Sequence, residues 1–248
     1  MTQRLIPVER RKPHNSAIGI IYGGLYVLFG VIVGFTSLLV LNNYNAARTA
    51  VQSETADLAR IYKLAQQLPE SKREEIRGLV ESYARVVVEE EWPLLRQGQY
   101  STHAQARANE LRSAIQAFKP TTTTEQILYT QELNAVNDLD KDRETRLLDA
   151  RLRLPAVLWV ALVGLSINML LFSWLLGIED TRLHMLAVSA LMAGIVLVLC
   201  TIFILERPFG TALRIRPQPF EAVLHTIEDT SPIGRAPAVC VPKANYPT

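Results

Sequence analysis

The 248-residue sequence has three long stretches from which charged residues are absent. Lys, Arg, Asp and Glu make up 20% of the chain, yet none of them occurs within residues 13–47, 154–178 or 183–205. Each stretch is longer than the roughly 20 apolar residues of helix that cross the hydrocarbon core of a bilayer. The pattern excludes a soluble globular protein. It also excludes a transmembrane β-barrel, whose strands are about 10 residues of alternating polarity.

Other features that the sequence lacks exclude several classes of function. Only two cysteines occur, Cys200 and Cys240, and they form neither a disulfide framework nor a zinc spacing. The net charge of +2 leaves no basic domain for a nucleic-acid partner. The sequence contains no nucleophile elbow, phosphate loop, dinucleotide-binding glycines or zinc-protease helix. We therefore expect a protein that is not an enzyme and that uses no cofactor and no metal.

The order of apolar and polar segments predicts an all-α integral membrane protein with three transmembrane helices and a helical soluble bundle between spans one and two. The predicted segments are a basic interfacial arm (1–16), transmembrane helix 1 (17–41), the soluble bundle (42–154), transmembrane helices 2 (155–178) and 3 (183–205), a membrane-proximal tail (206–231) and a Pro-rich flexible tail (232–248).

Helical periodicity and capping signals divide the bundle into about four helices. A heptad seam predicts that the first spanning helix continues unbroken into water; its members are Ala47, Val51, Glu54, Leu58, Ile61, Ala65 and Leu68. A second helix is predicted over 70–95, kinked or ended by Pro93. The third follows Ser101 or Thr102 as N-cap, and Thr122 with Glu125 forms a capping box that opens a long fourth helix.

The distribution of basic residues predicts which side of the membrane carries the bundle. Within about 20 residues of the membrane, eleven lysines and arginines lie on the bundle side and five on the other side. The excess favours a cytoplasmic bundle.

Several blocks of the sequence resemble the bestrophin-like family of bacterial membrane proteins. They are Arg4–Asn15, Asn43–Arg48, Leu58–Leu68 before Pro69-Glu70, Tyr83-Ala84 followed by Val87–Pro93, and Glu206–Phe209, within a similarity that covers about residues 4–225. The Glu-Glu-Glu-Trp-Pro and Arg-Pro-Phe blocks are the most specific of these.

This resemblance implies a multi-pass protein of the bacterial inner membrane and kinship with bestrophins, which are pentameric anion channels. It also implies a further span before Arg4–Asn15, which we do not find in this sequence. Calcium gating of the bestrophin kind is not implied, because the acidic residues after the last span (Glu206, Glu221, Glu228 and Asp229) are scattered. The expected partners are the lipid bilayer and further copies of the chain, up to a pentamer, or other membrane subunits.

The first span contains the candidate site residues of such a channel. The candidates for the pore lining are Phe29, Ile32, Phe35 and Leu39 as a hydrophobic constriction, with Asn42 and Asn45 as polar groups at its cytoplasmic mouth. An alternative interpretation places these aromatic residues against lipid or a neighbouring span. Gly19, Gly23, Gly30 and Gly34 form two Gly-x-x-x-Gly pairs, which favour close helix packing unless they are chance occurrences in an apolar segment.

Five charged residues are candidates for structural or subunit-contact roles: Arg48, Glu54, Arg85, Glu90 and Arg207. Glu54 and Glu90 fall on apolar stripes of their helices, so each is predicted to pair with an arginine such as Arg48 or Arg85. A cation or subunit-contact site, or a solvated acidic face, is the alternative use of the run Glu89-Glu90-Glu91.

Two hypotheses of function follow. The first is an oligomeric ion channel that selects by size and weak polar contacts. The second is a non-catalytic scaffold or accessory subunit of a larger membrane complex, in which the glycine pairs and the heptad seam serve for docking.

Overall fold

The computed structural model describes residues 15–175, 180–210 and 213–229, and all regular structure within these ranges is helical. The helices are α1 (Asn15–Ala65), α2 (Glu70–Val86), a π turn (Val87–Glu91), α3 (Trp92–Leu95), α4 (Thr102–Gln116), α5 (Thr123–Arg151), α6 (Ala156–Leu175), α7 (Thr181–Leu205) and α8 (Gln218–Asp229). The predicted flexible tail, and the predicted basic arm up to residue 14, lie outside the described residues.

The chain divides into two compact units. The first comprises Met1–Ala50, Leu95–Gly98 and Thr145–Ile215, and the second comprises Val51–Leu94, Gln99–Glu144 and Arg216–Thr248. Helix α1 contributes residues to both.

The continuity of α1 confirms the prediction from the heptad seam. The helix is unbroken over 51 residues. All seven seam residues are buried, including Glu54 and also Leu68, which lies three residues beyond the end of the helix. A single helix can contribute to both units because its local periodicity is the same while its exposed residues change from apolar to polar.

Helices α1, α6 and α7 form the core of the first unit. The residues that they bury against one another are Tyr22, Phe29, Val40, Leu162, Met169, Ile195 and Ile202. The Tyr22 hydroxyl donates to the Met169 carbonyl at 2.9 Å, and Ser166 Oγ donates to the Leu162 carbonyl at 2.7 Å. Three helical segments of the described chain are long and apolar enough to cross a membrane, one in each of Gly19–Ala65, Thr123–Ser173 and Thr181–Leu205.

The second unit includes a helix that the sequence analysis left outside the bundle. Helix α8, within the predicted membrane-proximal tail, packs on α2 and buries Phe220, Val223 and Ile227. These residues are three and four positions apart, so they share one face of the helix. The bundle is therefore formed from segments on both sides of α6 and α7 in the chain.

The predicted caps of α4 and α5 are confirmed. Ser101 Oγ accepts a hydrogen bond from the Ala104 amide at 3.3 Å. Thr122 Oγ1 accepts from the Glu125 amide while Glu125 Oε2 accepts from the Thr122 amide, both at 3.2 Å, which completes the capping box. These hydrogen bonds satisfy amides that the first turn of a helix leaves without partners.

The second helix extends to Leu95, in agreement with the predicted range of 70–95, and its irregular turn lies just before Pro93. The chain stays helical to Leu95, because the turn before the proline is a π turn in which the Trp92 amide donates to the Val87 carbonyl, five residues earlier. In a π turn each amide bonds to the carbonyl five residues earlier instead of four, and here this change comes directly before Pro93, which has no amide hydrogen to donate. The buried stripe also moves by one residue, from Glu90 to Glu91 and from Leu94 to Leu95.

Glu132 is a buried carboxyl group in the middle of α5. Its side chain is fully buried, and neither carboxylate oxygen has a hydrogen-bond partner among the described residues. Burial raises the pKa of Glu132 from its ordinary value of 4.5 to about 7. The unfolded chain therefore releases this proton at lower pH than the folded protein does.

We predict that Glu132→Met stabilises the protein in a pH-dependent way. Because the pKa of Glu132 is raised on folding, the contribution of this group to stability is largest below pH 4.5, and about 3 kcal/mol of it is lost between pH 4.5 and pH 7. The midpoint of thermal unfolding in detergent should thus rise by several degrees at pH 8 and several-fold less at pH 5. Glu144→Met, which replaces an exposed glutamate of the same helix, is the control and should shift the midpoint little at either pH. An equal gain from Glu132→Met at both pH values would contradict the prediction.

Candidate pore face and buried charge network

The six candidate pore residues of α1 do not share one face of the helix. Phe29 is buried in the core of the first unit, and Ile32 packs against that core. Phe29 precedes Phe35 by six residues, which at 3.6 residues per turn puts the two side chains about 120° apart. Phe29 and Ile32 therefore pack within the unit of α1, as the alternative interpretation expects, and their role in a constriction stays a prediction.

The other four candidates are exposed. Phe35 has 72% and Leu39 has 41% of its surface accessible, and Asn42 and Asn45 are exposed further along the helix. Phe35, Leu39 and Asn42 are separated by four and three residues, so they form one continuous stripe. Such a stripe of large apolar side chains ending in an amide needs a partner that is not part of this unit.

The candidate packing glycines occupy a third face of α1. Gly30 and Gly34 lie about 100° to 140° from both Phe29 and Phe35 around the helix. No described atom of another segment lies within 4 Å of a β-carbon placed on Gly19, Gly23, Gly30 or Gly34. The backbone on this face is therefore open to close approach by another helix.

The strongest polar interaction of the second unit is a buried ion pair between the π turn and α5. Arg143 donates through both terminal nitrogens to the two carboxylate oxygens of Glu91, at 2.6 and 2.8 Å. Both side chains are buried. The planar guanidinium matches a carboxylate in this two-point geometry, which a lysine cannot reproduce.

Residues from three other segments extend this pair into a network. The Ser101 amide, at the start of α4, donates to Glu91 Oε2 at 3.1 Å. The Arg143 guanidinium carbon lies 5.9 Å from the centre of the Tyr83 ring, and the Tyr83 hydroxyl donates to the buried carboxylate of Glu54 in α1. The network thus connects α1, α2, α4 and α5 through charged hydrogen bonds and through the contact of the Arg143 guanidinium with the Tyr83 ring.

The residue after Glu91 anchors the added helix. Trp92 is buried, and its ring centre lies 5.8 Å from that of Phe220 in an edge-on arrangement. The Glu-Glu-Glu-Trp-Pro block therefore supplies a buried acid, an aromatic contact to α8 and a proline that follows the π turn.

The structure pairs the candidate polar residues differently from the prediction. Glu90 is exposed; its carboxylate lies 2.9 Å from His103 Nδ1 and accepts from Ser101 Oγ at 3.3 Å. The ion-pair partners of Arg85 are Glu81, Glu89 and Glu228. Arg48 is exposed, and the Arg207 guanidinium lies 4.6 Å from the centre of the Phe203 ring.

Sequence reasoning missed Glu91 and Arg143. Regular α-helical periodicity of 3.6 residues per turn predicts that Glu90 lies on the buried face of the second helix. The π turn shifts this face by one residue, so that Glu91 is buried instead. A usable signal for Arg143 existed in its position four residues after Leu139 on the buried stripe of α5.

Three aspartates form a second acidic group on the surface of the bundle. Asp57, Asp138 and Asp142 line a groove of about 320 Å³ together with Lys141. Burial, reinforced by the two neighbouring carboxylates, raises the pKa of Asp57 to about 6. The described residues contain no group of three acidic, histidine or cysteine side chains arranged to hold a metal ion.

Comparison with known proteins identifies the family. A comparison with curated protein sequences found no match. A profile of the bestrophin-like domain matches residues 1–220. The chain belongs to the bestrophin-like family. The resemblance expected from the sequence blocks is thereby confirmed.

Solved structures of bacterial bestrophin homologues share the fold of this bestrophin-like chain. One point variant of a homologue from Klebsiella pneumoniae superposes with a TM-score of 0.70 at 12% identity, covering 90% of this chain and 98% of the homologue. A second variant gives 0.66 at 14% identity, with coverages of 85% and 86%. At such identities the similarity concerns the arrangement of helices.

We predict that breaking the Glu91–Arg143 pair destabilises the bundle strongly. Arg143→Met leaves a buried carboxylate without its cation and should cost about 3–5 kcal/mol, seen as a large drop in the thermal unfolding midpoint. Changing both residues, Glu91→Leu with Arg143→Met, should recover most of that loss. Arg112→Met is the control, because Arg112 pairs with Asp140 at a partly exposed position and should cost less than about 1 kcal/mol. A drop for Arg143→Met no larger than that of the control would refute the assignment.

Proposed function

We propose that this bestrophin-like protein spans the bacterial inner membrane through α1, α6 and α7. The outward surfaces of these helices carry large apolar side chains that water would not tolerate as a continuous layer. Those with at least two thirds of their surface accessible are Ile20, Val27 and Phe35 in α1, Val157 and Val160 in α6, and Leu186 and Leu197 in α7. The excess of basic residues on the bundle side in the sequence supports a cytoplasmic bundle.

The protein assembles as a homo-oligomer with cyclic symmetry, up to a pentamer. Support comes from the three faces of α1, which are separated by about 100° to 140°. One face packs on the protein's own α6 and α7, the glycine face is open for close approach, and the stripe Phe35, Leu39 and Asn42 is exposed. A ring of copies uses these faces in turn for the protomer's own core, the neighbouring protomer and the central axis.

The assembled protein conducts ions along the axis of the ring. The observation that carries this proposal is the shared fold with bestrophin homologues, combined with an apolar stripe on α1 that ends in asparagines. Phe35 and Leu39 form a constriction that gates by dewetting, and Asn42 and Asn45 are weak polar ligands at its cytoplasmic end. No Asp, Glu, Lys or Arg lies in the apolar stretches, so selection rests on size and on amide dipoles.

We predict that Phe35 and Asn42 control conduction in different ways. Purified protein in planar bilayers should carry larger unitary currents after Phe35→Ala, because a smaller side chain wets the constriction. Asn42→Asp should shift the reversal potential in a KCl gradient towards cation selectivity, and Asn42→Lys should shift it towards anion selectivity. Leu197→Ala, at an equally exposed position of α7, is the control and should leave both properties unchanged. Silence of the wild type under all conditions would defeat the channel proposal.

We predict that the glycine face carries the contact between protomers. Gly30→Leu should reduce the oligomer to smaller species in native mass spectrometry, because a branched side chain keeps neighbouring backbones apart. Val160→Leu, at an exposed apolar position of α6 away from the glycine face, is the control and should leave the assembly intact. A wild type that is monomeric, or that co-purifies at fixed ratio with foreign membrane subunits, would instead support the scaffold hypothesis.

A further inference from the structure

The first unit carries an unusual concentration of exposed arginine at one end of its apolar helices. We call this set the arginine collar; its members are Arg48, Arg96, Arg151, Arg153, Arg207 and Arg214, all of them exposed. The described residues of this unit contain no lysine, and their acidic residues are Asp149, Asp180 and Glu206. Asp149 is buried, Glu206 is engaged with the backbone, and Asp180 caps α7 at the opposite end of that helix.

The collar lies where the apolar stretches of all three spans end. Arg153 precedes the first residue of α6 by three positions, and Arg207 follows the last residue of α7 by two. Arg48 follows Leu41, the last residue of the predicted first span, by seven positions, which is about 10 Å along a helix. On the proposed membrane placement, these positions fall at the level of the lipid headgroups.

Backbone contacts bring the members of the collar together. The Tyr44 hydroxyl donates to the Leu213 carbonyl at 3.0 Å, which places Arg214 beside the turn of α1 that leads to Arg48. The Leu154 amide donates to Glu206 Oε1 at 2.7 Å, which connects the segments of Arg153 and Arg207.

Two further contacts bring the segment that carries Arg96 close to the segments of Arg151 and Arg207. Arg151 Nε donates to the Gly98 carbonyl at 3.0 Å, where the positive φ of Gly98 turns the chain after Arg96. A β-carbon placed on Gly210 would lie 3.5 Å from the Arg96 carbonyl oxygen.

Four members of the collar have no carboxylate within ion-pair distance in the described part of the chain: Arg48, Arg96, Arg153 and Arg214. In contrast, many cations of the second unit, such as Arg85 and Arg112, have acidic neighbours. Exposed guanidinium groups without acids repel one another, and an anion compensates that repulsion. Because the fork of a guanidinium binds two oxygens at once, phosphate is the anion that an all-arginine set fits best.

Exposed leucines beside these arginines indicate a phosphate that belongs to a lipid. Leu152 lies between Arg151 and Arg153 in sequence and is 47% exposed, and Leu213 precedes Arg214 and is 58% exposed. Apolar side chains next to basic ones are typical of surfaces at the boundary between headgroups and acyl chains. A free phosphate ion would gain nothing from them.

We propose that the arginine collar binds the phosphates of anionic phospholipids in the cytoplasmic leaflet. This inference rests on the proposed placement of the spans in the membrane. Arg48, Arg153 and Arg214 bind the headgroup phosphates. The adjacent Leu152 and Leu213 insert into the edge of the acyl-chain layer.

Native mass spectrometry of the purified full chain, titrated with phosphatidylglycerol or phosphatidylcholine, tests the proposal. The wild type should bind phosphatidylglycerol at least tenfold more tightly. The variant with Arg48→Gln, Arg153→Gln and Arg214→Gln should lose that preference, since each arginine near an anionic surface contributes about fivefold. The matched control removes three exposed cations of the bundle, by Arg60→Gln, Lys119→Gln and Lys141→Gln, and should keep the preference. Changing the three collar residues to lysine should give an intermediate loss.

Several outcomes would overturn the proposal. Equal losses in the collar and control variants would show that total charge, not the collar, is recognised. Displacement of phosphatidylglycerol by millimolar inorganic phosphate would show a site for free phosphate instead of lipid. A wild type without preference would also refute it. Alkaline carbonate extraction of membranes separates this failure from that of the membrane placement, because a protein that stays in the membrane without lipid preference contradicts the collar alone.

Discussion

The buried pair between Glu91 and Arg143 is the interaction on which the second unit depends. Two charges without water are costly unless each satisfies the other, and here both carboxylate oxygens meet both terminal nitrogens of the guanidinium. The Ser101 amide and the Tyr83 ring then complete the surroundings. Apolar packing alone tolerates small rotations of helices, whereas this two-point geometry does not. The pair therefore fixes the rotation of the π turn relative to α5.

The same pair explains why the sequence could predict the helices of the bundle but not its polar centre. Helix positions followed from periodicity and caps, and the seam of α1 and the capping box of α5 are both present. Those signals are local. The choice between Glu90 and Glu91 depends on one wider turn, and a π turn has no sequence signature beyond the proline that follows it. The packing of α8 on α2 could not be predicted from sequence either, because the apolar face of an amphipathic helix does not determine which helix it packs against.

The first span shows a similar limit in apolar sequence. All of its residues between 17 and 41 are suited to lipid, so composition cannot distinguish Phe29, which is buried, from Phe35, which is exposed. The distinction needs the packing of α6 and α7, whose contact with α1 selects one third of its circumference. Tyr22 provides the only polar anchor described on that face, through its hydroxyl bond to the Met169 carbonyl. Once that third is assigned, the glycine face and the Phe35 stripe follow from helical geometry.

Charge is used in opposite ways by the two units, and this division accounts for the nearly neutral chain. In the second unit, acids and bases are interspersed, and many form pairs within a helix or across the bundle, as Glu91 and Arg143 do. Among the described residues of the first unit, the cations are arginines and carboxylates are scarce. Mixed charges make a water-exposed surface soluble, whereas a surface beside anionic headgroups is attracted to them when its charges are all positive. On the proposed membrane placement, the excess of arginine follows from position along the membrane normal, and a whole-chain net charge of +2 conceals it.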